Sequence, residues 1–413
     1  MRGVVWLVLL FTVAVVAATT LGSNDGLVTL YWRGWRTDLS LNLFVILLVG
    51  SCVVLTLAGQ ALVALTSLPR RAGEWRALRK ERAAQAALRE SLAEYFSARY
   101  SRAQKAASRA LAIHDDAPEL RSSTEFQVLT QLLAAASLHR LQDRTRRDAM
   151  LAGALPRGGR AMSKADDGAR LLAAEWALDD RDTERALTLL DELPAGVARR
   201  TQALRLRLQA SRMARRPLEA LHTAHLLAHH GAFSAAAAQG LLRSLAFEAI
   251  DTTHDMQQLR KLWAQLETSD RRDAFVVARA ALRAGLLESP EEARQWLRPF
   301  WDRLAELSRD ERDQIALALL HVCAGIGNDW LPRLESALAN FGHESAVVAA
   351  AGAAFAECKL WGKARRLLEQ AAAAPTLPAA VRRRSWRQLA GLARDEGDAP
   401  RASICERAAA ALD

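Results

Sequence analysis

Two runs without a single charged residue dominate the N-terminus: residues 3–21 (GVVWLVLLFTVAVVAATTL) and residues 39–69, densest from Leu43 to Leu65. An α-helix rises 1.5 Å per residue, so the first run covers about 28 Å, close to the roughly 30 Å hydrocarbon thickness of a bilayer. The two runs predict a transmembrane helical hairpin over residues 1–69, with a short outer loop at 22–40. For the first run the alternative is a cleavable signal peptide ending near Ala17–Ala18. Its length, and the second run behind it, favour a span. Tyr31, Trp32 and Trp35 in the loop fit an aromatic belt at headgroup depth; a plain connector is the simpler account of the loop.

The charge that follows sets the orientation. The chain carries a formal net charge of +10, and residues 70–113 hold 11 Lys/Arg against 4 Asp/Glu. Residues 114–413 are close to neutral. Arg70, Arg71, Arg76, Arg79, Lys80 and Arg82 crowd behind the second run, whereas the loop between the runs has only Arg33 and Arg36. Basic flanks stay on the cytoplasmic side, so the loop is expected outside and the C-terminal bulk in the cytoplasm. There the basic segment meets anionic lipids, which attract Lys and Arg by about 1 kcal/mol per residue near the surface. The segment has no base-stacking aromatic pattern, so no nucleic-acid partner is expected.

Eleven Pro and 22 Gly are few for 413 residues, and Ala, Leu and Arg are abundant. Such a chain favours helix over β-sandwich or barrel classes. From about residue 82 helix-like segments break every 12–20 residues. A repeated helix-turn-helix of about 34 residues should place a small residue early in each second helix, where two antiparallel helices touch. Candidates are Ala103, Ala149, Ala186, Ala220, Ala293, Ala364 and Ala402. Weaker pairs centre near Leu259 and Arg333, where the small residue is missing. Ala186 to Ala220 and Leu259 to Ala293 are both 34 residues apart. Leu190, Leu297 and Leu368 fall one turn later and fill the groove. Gly397 supplies the flexible residue for the bend at 396–398.

Residues 352–375 read GAAFAECKLWGKARRLLEQAAAAP. Gly352, Phe355, Trp361, Ala364, Leu368, Ala371 and Pro375 sit where tetratricopeptide repeats place Gly, aromatic, aromatic, Ala, apolar, Ala and Pro, and the segment resembles that family. Residues 386–412, with Trp386, Gly397 and Ala402, resemble a second unit. The expected fold is therefore all-α: a two-helix transmembrane hairpin followed by a tetratricopeptide-like α-solenoid of about eight or nine helix pairs. Residues 70–113 form the basic juxtamembrane helix and first repeat. Residues 114–413 form the degenerate array, with its best-matched repeats at 346–413.

Taken whole, the chain resembles the HemY family of proteobacterial inner-membrane proteins. The order of parts carries the resemblance, helped by the loop GLVTLYWRGWRTDLSLN and by LWGKAR at 360–365. The resemblance implies a bacterial inner-membrane location, a link to late haem and porphyrin biosynthesis, and a role as scaffold or regulator of protein partners, among them haem-biosynthesis enzymes. A flavin-dependent oxidase has carried the same name. It would need a G-x-G-x-x-G turn at the N-terminus, where this chain has a span; Gly325-Ile326-Gly327 lacks the third glycine.

The most conspicuous chemistry-bearing group is His222, His225 and His229, with His230 beside them. Steps of three and four put the first three on one helix face, a geometry suited to a metal ion or a haem iron. A polar outer face of a second helix is the simpler account, because Ala220, Ala224 and Leu227 form the packed stripe and the histidines lie off it. The four Cys (Cys52, Cys323, Cys358, Cys405) form no CxxC, and His343-Glu344 lacks the second His of a zincin motif. Asp115-Asp116, Asp166-Asp167 and Asp179-Asp180 read as solvated turns. No catalytic constellation emerges, so a non-enzymatic scaffold is expected. Its alternatives are a direct haem or porphyrin carrier using the cluster from His222 to His230, and a generic assembly factor for a membrane complex.

Overall fold

Among the described residues helix is the rule, and the one pair of strands comes first. The computed structural model describes residues 13, 25–116, 124–155 and 164–412. The expected first span therefore lies outside the described residues, apart from Val13, which is helical. The loop expected on the outside is a β-hairpin and not a plain connector. Strand β1 (Leu27–Trp32) pairs antiparallel with β2 (Trp35–Ser40), with Trp32 opposite Trp35, Tyr31 opposite Arg36 and Thr29 opposite Asp38. The chain is thus mainly helical, not purely so. Val, Thr, Tyr and Trp favour the pleated conformation, and the two-residue turn Arg33-Gly34 has positive φ at both positions (44° and 90°), as a type I′ hairpin requires.

Ser40 ends the hairpin and starts the longest element. Its Oγ accepts from the Leu43 amide and caps α1 (Leu41–Phe96), a helix of 56 residues. At 1.5 Å per residue α1 extends for about 84 Å. It passes through residues 69 and 70 without a break, so membrane-length and basic segments are one rod.

The chain divides into two compact units, residues 1–154 and 155–413. In the first, the C-terminal part of α1 packs on α2 (Tyr100–Asp115), followed by α3 (Thr124–Arg140) and α4 (Arg144–Ala154). Small residues bring α1 and α2 close. Ala84, Ala87, Ala103, Ala106, Ala107 and Ala110 are buried, and Ser91 Oγ donates to the Ala103 carbonyl at 2.7 Å.

The second unit opens with α5 (Lys164–Asp179), α6 (Thr183–Asp191), a single turn α7 (Ala195–Ala198), α8 (Thr201–Met213) and α9 (Pro217–His229). It continues with α10 (Ala235–Asp251), α11 (Met256–Gln265), the short α12 (Thr268–Arg271), α13 (Ala274–Leu286), α14 (Pro290–Trp301), α15 (Arg309–His321) and α16 (Leu331–Phe341). The last four are α17 (Ser345–Glu357), α18 (Trp361–Ala373), α19 (Ala379–Asp395) and α20 (Ala399–Ala410). Helices α10, α13, α15, α17 and α19 contact one another in succession, while α14, α18 and α20 each lie against the helix just before them. One apolar core runs from Leu204 to Cys405, and a smaller one joins α5, α6 and α8.

One turn recurs through both units. Ala98, Gln142, Arg181, Arg215, Glu288, Lys359 and Gly397 all have positive φ, between 56° and 76°, and each lies two residues before the first residue of a second helix, next to its N-cap. The next amide reaches back to a carbonyl five residues earlier, as in Arg99 to Glu94, Asp182 to Ala177, Ser289 to Ala284 and Asp398 to Ala393. This is the Schellman closure, which satisfies carbonyls left open at a helix end.

Candidate membrane anchor and helix-pair contacts

From Leu41 to Leu62, α1 has mean hydropathy 2.5, and none of this 22-residue stretch is buried. Leu55 is 70% exposed and Ile46 66%. It is the one helix among the described residues long and apolar enough to cross a membrane. Its hydroxyls are paired within the helix, Ser51 Oγ donating to Leu48 O and Thr56 Oγ1 to Val53 O, both at 2.8 Å. A helix in a hydrocarbon solvent needs this internal pairing. Length, composition and exposure together mark a membrane-associated helix.

The basic residues expected at the membrane surface lie farther along the same rod. The side chains of Arg70 and Arg71 are outside the described part. Arg79 stacks over the Trp75 ring, 5.5 Å from its centroid. Lys80 Nζ bridges to the end of α2, 2.7 Å from Asp116 Oδ2 and 3.1 Å from the Asp116 carbonyl. The hydrogen bond and charge of Lys80 hold the Asp116 carboxyl below the usual carboxylate range. Arg82 is exposed on the outer face of α1.

The histidines are only partly brought together. On α9, Ala220, Leu221, Ala224 and Leu227 form the buried stripe. His222 and His229 are exposed, and His222 Nε2 lies 3.4 Å from the Gln265 carbonyl. His225 is mostly buried and meets a carboxylate that the sequence did not reveal. Its Nε2 is 2.9 Å from Asp270 Oδ2 and its Nδ1 3.4 Å from Glu267 Oε2. Burial disfavours its cation, but the hydrogen bond and charge of Asp270, joined by Glu267, outweigh burial and raise its pKa. With both ring nitrogens facing carboxylates, the imidazolium form of His225 is favoured, and that form has no lone pair for a metal. Among the described residues no group of three His, Cys, Asp or Glu side chains is arranged to hold a metal ion. Asp270 is 45 residues away, and it doubles as the third residue of the α12 capping box.

The residues expected at helix contacts occupy a constant slot, four after the N-cap residue of each second helix. Ala103, Ala186, Ala220, Ala293 and Ala364 are each fully buried there, and Ala402 is 4% exposed. Leu259 and Leu334 fill the same slot with larger side chains, both fully buried. Two expectations of register change. Ala149 is exposed, and its slot is taken by Arg147, 2% exposed, whose Nε donates to Asp148 Oδ1 at 2.9 Å. Arg333 is one residue short of the slot and pairs with Asp302 at 2.7 Å. Leu368 is fully buried on α18, while Trp361 is 38% exposed.

Ion pairs repeat with the helices. Arg216–Glu184, Arg260–Glu292, Arg312–Glu344 and Arg401–Glu369 each join residues 32 apart. In the one between Arg312 and Glu344 the carboxylate is buried and the guanidinium half-buried, with Nη2 2.6 Å from Oε1, and the guanidinium also lies over Phe341. Glu344, read from sequence as half of an absent zincin motif, thus has a structural partner. A recurrent Arg/Glu offset of 32 is a signal that the sequence contains and the search for small residues passed over. Cys323 and Cys405 are buried, and burial pushes both thiols up.

Residues 26–142 match the family model described as the HemY protein N-terminus. The match takes in the β-hairpin, all of α1, α2 and α3. No curated protein matches the chain.

Proposed function

Because this chain belongs to the HemY family through residues 26–142, we propose that it is a non-enzymatic inner-membrane scaffold or regulator, linked by that membership to late haem and porphyrin biosynthesis. The observation that carries the reading is the continuity of α1. One uninterrupted helix joins an apolar stretch with no buried residue to the first of the packed helix pairs. That arrangement suits a protein whose working part is held close to a membrane.

The rest of the reading builds on this anchor. Residues 3–21 supply a first span, the β-hairpin lies outside, and the C-terminal bulk faces the cytoplasm of a bacterium. The helix pairs form a tetratricopeptide-like α-solenoid. Successive contacts between first helices, the recurring turn and the 32-residue ion pairs support it. Stacked pairs of this kind expose an extended surface for partner proteins without needing a catalytic cleft. The ion pairs of His225 weigh against the haem-carrier alternative.

Affinity capture of the full chain from membranes in mild detergent tests the proposal. Co-purification of enzymes of tetrapyrrole synthesis is expected, and it should be lost when residues 155–413 are deleted. Equal recovery of those enzymes with the truncated chain would overturn the assignment of partner binding to the helix pairs.

A further inference from the structure

Between the basic part of α1 and the end of α2 lies a groove of about 570 Å³. Its floor is apolar, made by Trp75, Ala83, Ala112 and Ile113; Arg76, Arg79, Lys80 and Arg109 stand around it, with Asp116 at one end. Asp116 is taken by Lys80, and Arg109 pairs with Glu90 outside the groove at 3.1 Å. Arg76 and Arg79 have no carboxylate partner among the described side chains. Trp75 is 62% exposed, so the groove is floored by a large indole and bordered by two uncompensated guanidinium groups. A ligand that suits it has an anionic head and an apolar body.

The position on α1 identifies its source. The uncharged stretch of the helix continues to residue 69. The stretch from 41 to 69 is about 43 Å long, matching the roughly 40–45 Å of a bilayer with its headgroups. Trp75 follows six residues, or about 9 Å, later on the same helix. Arg76 and Arg79 are therefore within side-chain reach of the headgroup surface. We infer that this groove is a discrete site for one anionic phospholipid, its phosphate on Arg76 and Arg79 and its glycerol and upper acyl carbons against Trp75, Ala83 and Ile113. This goes beyond diffuse attraction between a basic segment and a charged leaflet, and it rests on the reading of α1 as a membrane span.

Native mass spectrometry of the full chain in detergent, titrated with phosphatidylglycerol or phosphatidylcholine, separates these possibilities. The wild type should retain one phosphatidylglycerol in preference to phosphatidylcholine. Arg76→Gln with Arg79→Gln should weaken that binding about tenfold or more. Arg82→Gln with Arg89→Gln removes the same charge from α1 outside the groove and should leave it intact. Unchanged binding in the first double variant, or equal loss in the second, would overturn the site in favour of general electrostatics. Glycerol phosphate should not displace the lipid; if it competes as well as phosphatidylglycerol does, the occupant is a soluble phosphate and the lipid assignment is wrong. Carbonate extraction keeps the two readings apart. A chain released by carbonate defeats the anchor, whereas a chain that stays in the membrane without selecting phosphatidylglycerol defeats the groove alone.

Discussion

Gly352 sits where α17 and α18 come closest. A Cβ built on it would lie 3.1 Å from Leu367 Cβ and 3.2 Å from the Leu368 amide nitrogen. The second neighbour is backbone, so the helices themselves have to part. Gly352→Ala should destabilise the full chain by about 1–2 kcal/mol despite alanine's better helix propensity, and Ala364→Leu by about 1–3 kcal/mol. Denaturant titration of the solubilised chain measures both; an unchanged midpoint for either would mean that this contact has slack. His225 makes a different demand. Its folded-state pKa is raised, so the protonated form is favoured by folding. The stabilisation is complete below the unfolded value of about 6.5 and is lost as pH rises through the raised one. Subtracting the stability–pH curve of His225→Gln from that of the wild type should give a difference that shrinks upward from about pH 6.5. A difference growing with pH would mean that burial outweighs Asp270 and Glu267. Both residues sit in legible positions, one in a repeat signature and one on a helix face. What each touches was legible for Gly352, whose partner helix follows at once. It was hidden for His225, whose partner comes from a helix 45 residues on.

The inter-helix turn places non-glycine residues in a conformation that costs L-residues roughly 1–2 kcal/mol. Gly397 occupies it without that cost, while Lys359 at φ 60° and Glu288 at φ 57° do not. Lys359→Gly should raise stability by about 0.5–1 kcal/mol after the extra freedom of glycine in the unfolded chain is subtracted. Gly397→Ala should lower it by a similar amount. Denaturant midpoints of the two variants that move in the same direction would refute the shared turn. This turn also explains the misread registers. Ala149 and Arg333 were chosen by looking for small residues or for period, but the slot is counted from the turn. Its αL residue is Gly in one of seven cases, so composition alone does not mark it. Nor does sequence predict a buried arginine at residue 147, since its accommodation depends on neighbouring polar atoms that folding supplies.

The membrane reading makes the broadest prediction. With the C-terminal bulk in the cytoplasm, a C-terminal alkaline phosphatase fusion should be inactive and a fluorescent-protein fusion bright. The reverse pattern would sink the proposed orientation. Changing Arg70, Arg71, Arg76, Arg79 and Lys80 to Glu should scramble insertion in the same fusions, because the charge asymmetry disappears. What the amino-acid order settled for this chain is whatever depends on runs and local periods. The apolar stretch behind the loop, the basic segment after it, the dominance of helix and the close Ala contacts each follow from residues near one another. The β-hairpin was within reach of the same reasoning, since Arg33-Gly34 lies between strand-forming residues, but an aromatic-rich loop beside a membrane span invited a different explanation. Folding alone settled the rest: the unbroken course of α1 from anchor to groove, the carboxylates around His225, the burial of Arg147 and the partner of Glu344. Each depends on which distant side chains meet, and that is set by how successive helices pack, a property that no short window of sequence contains.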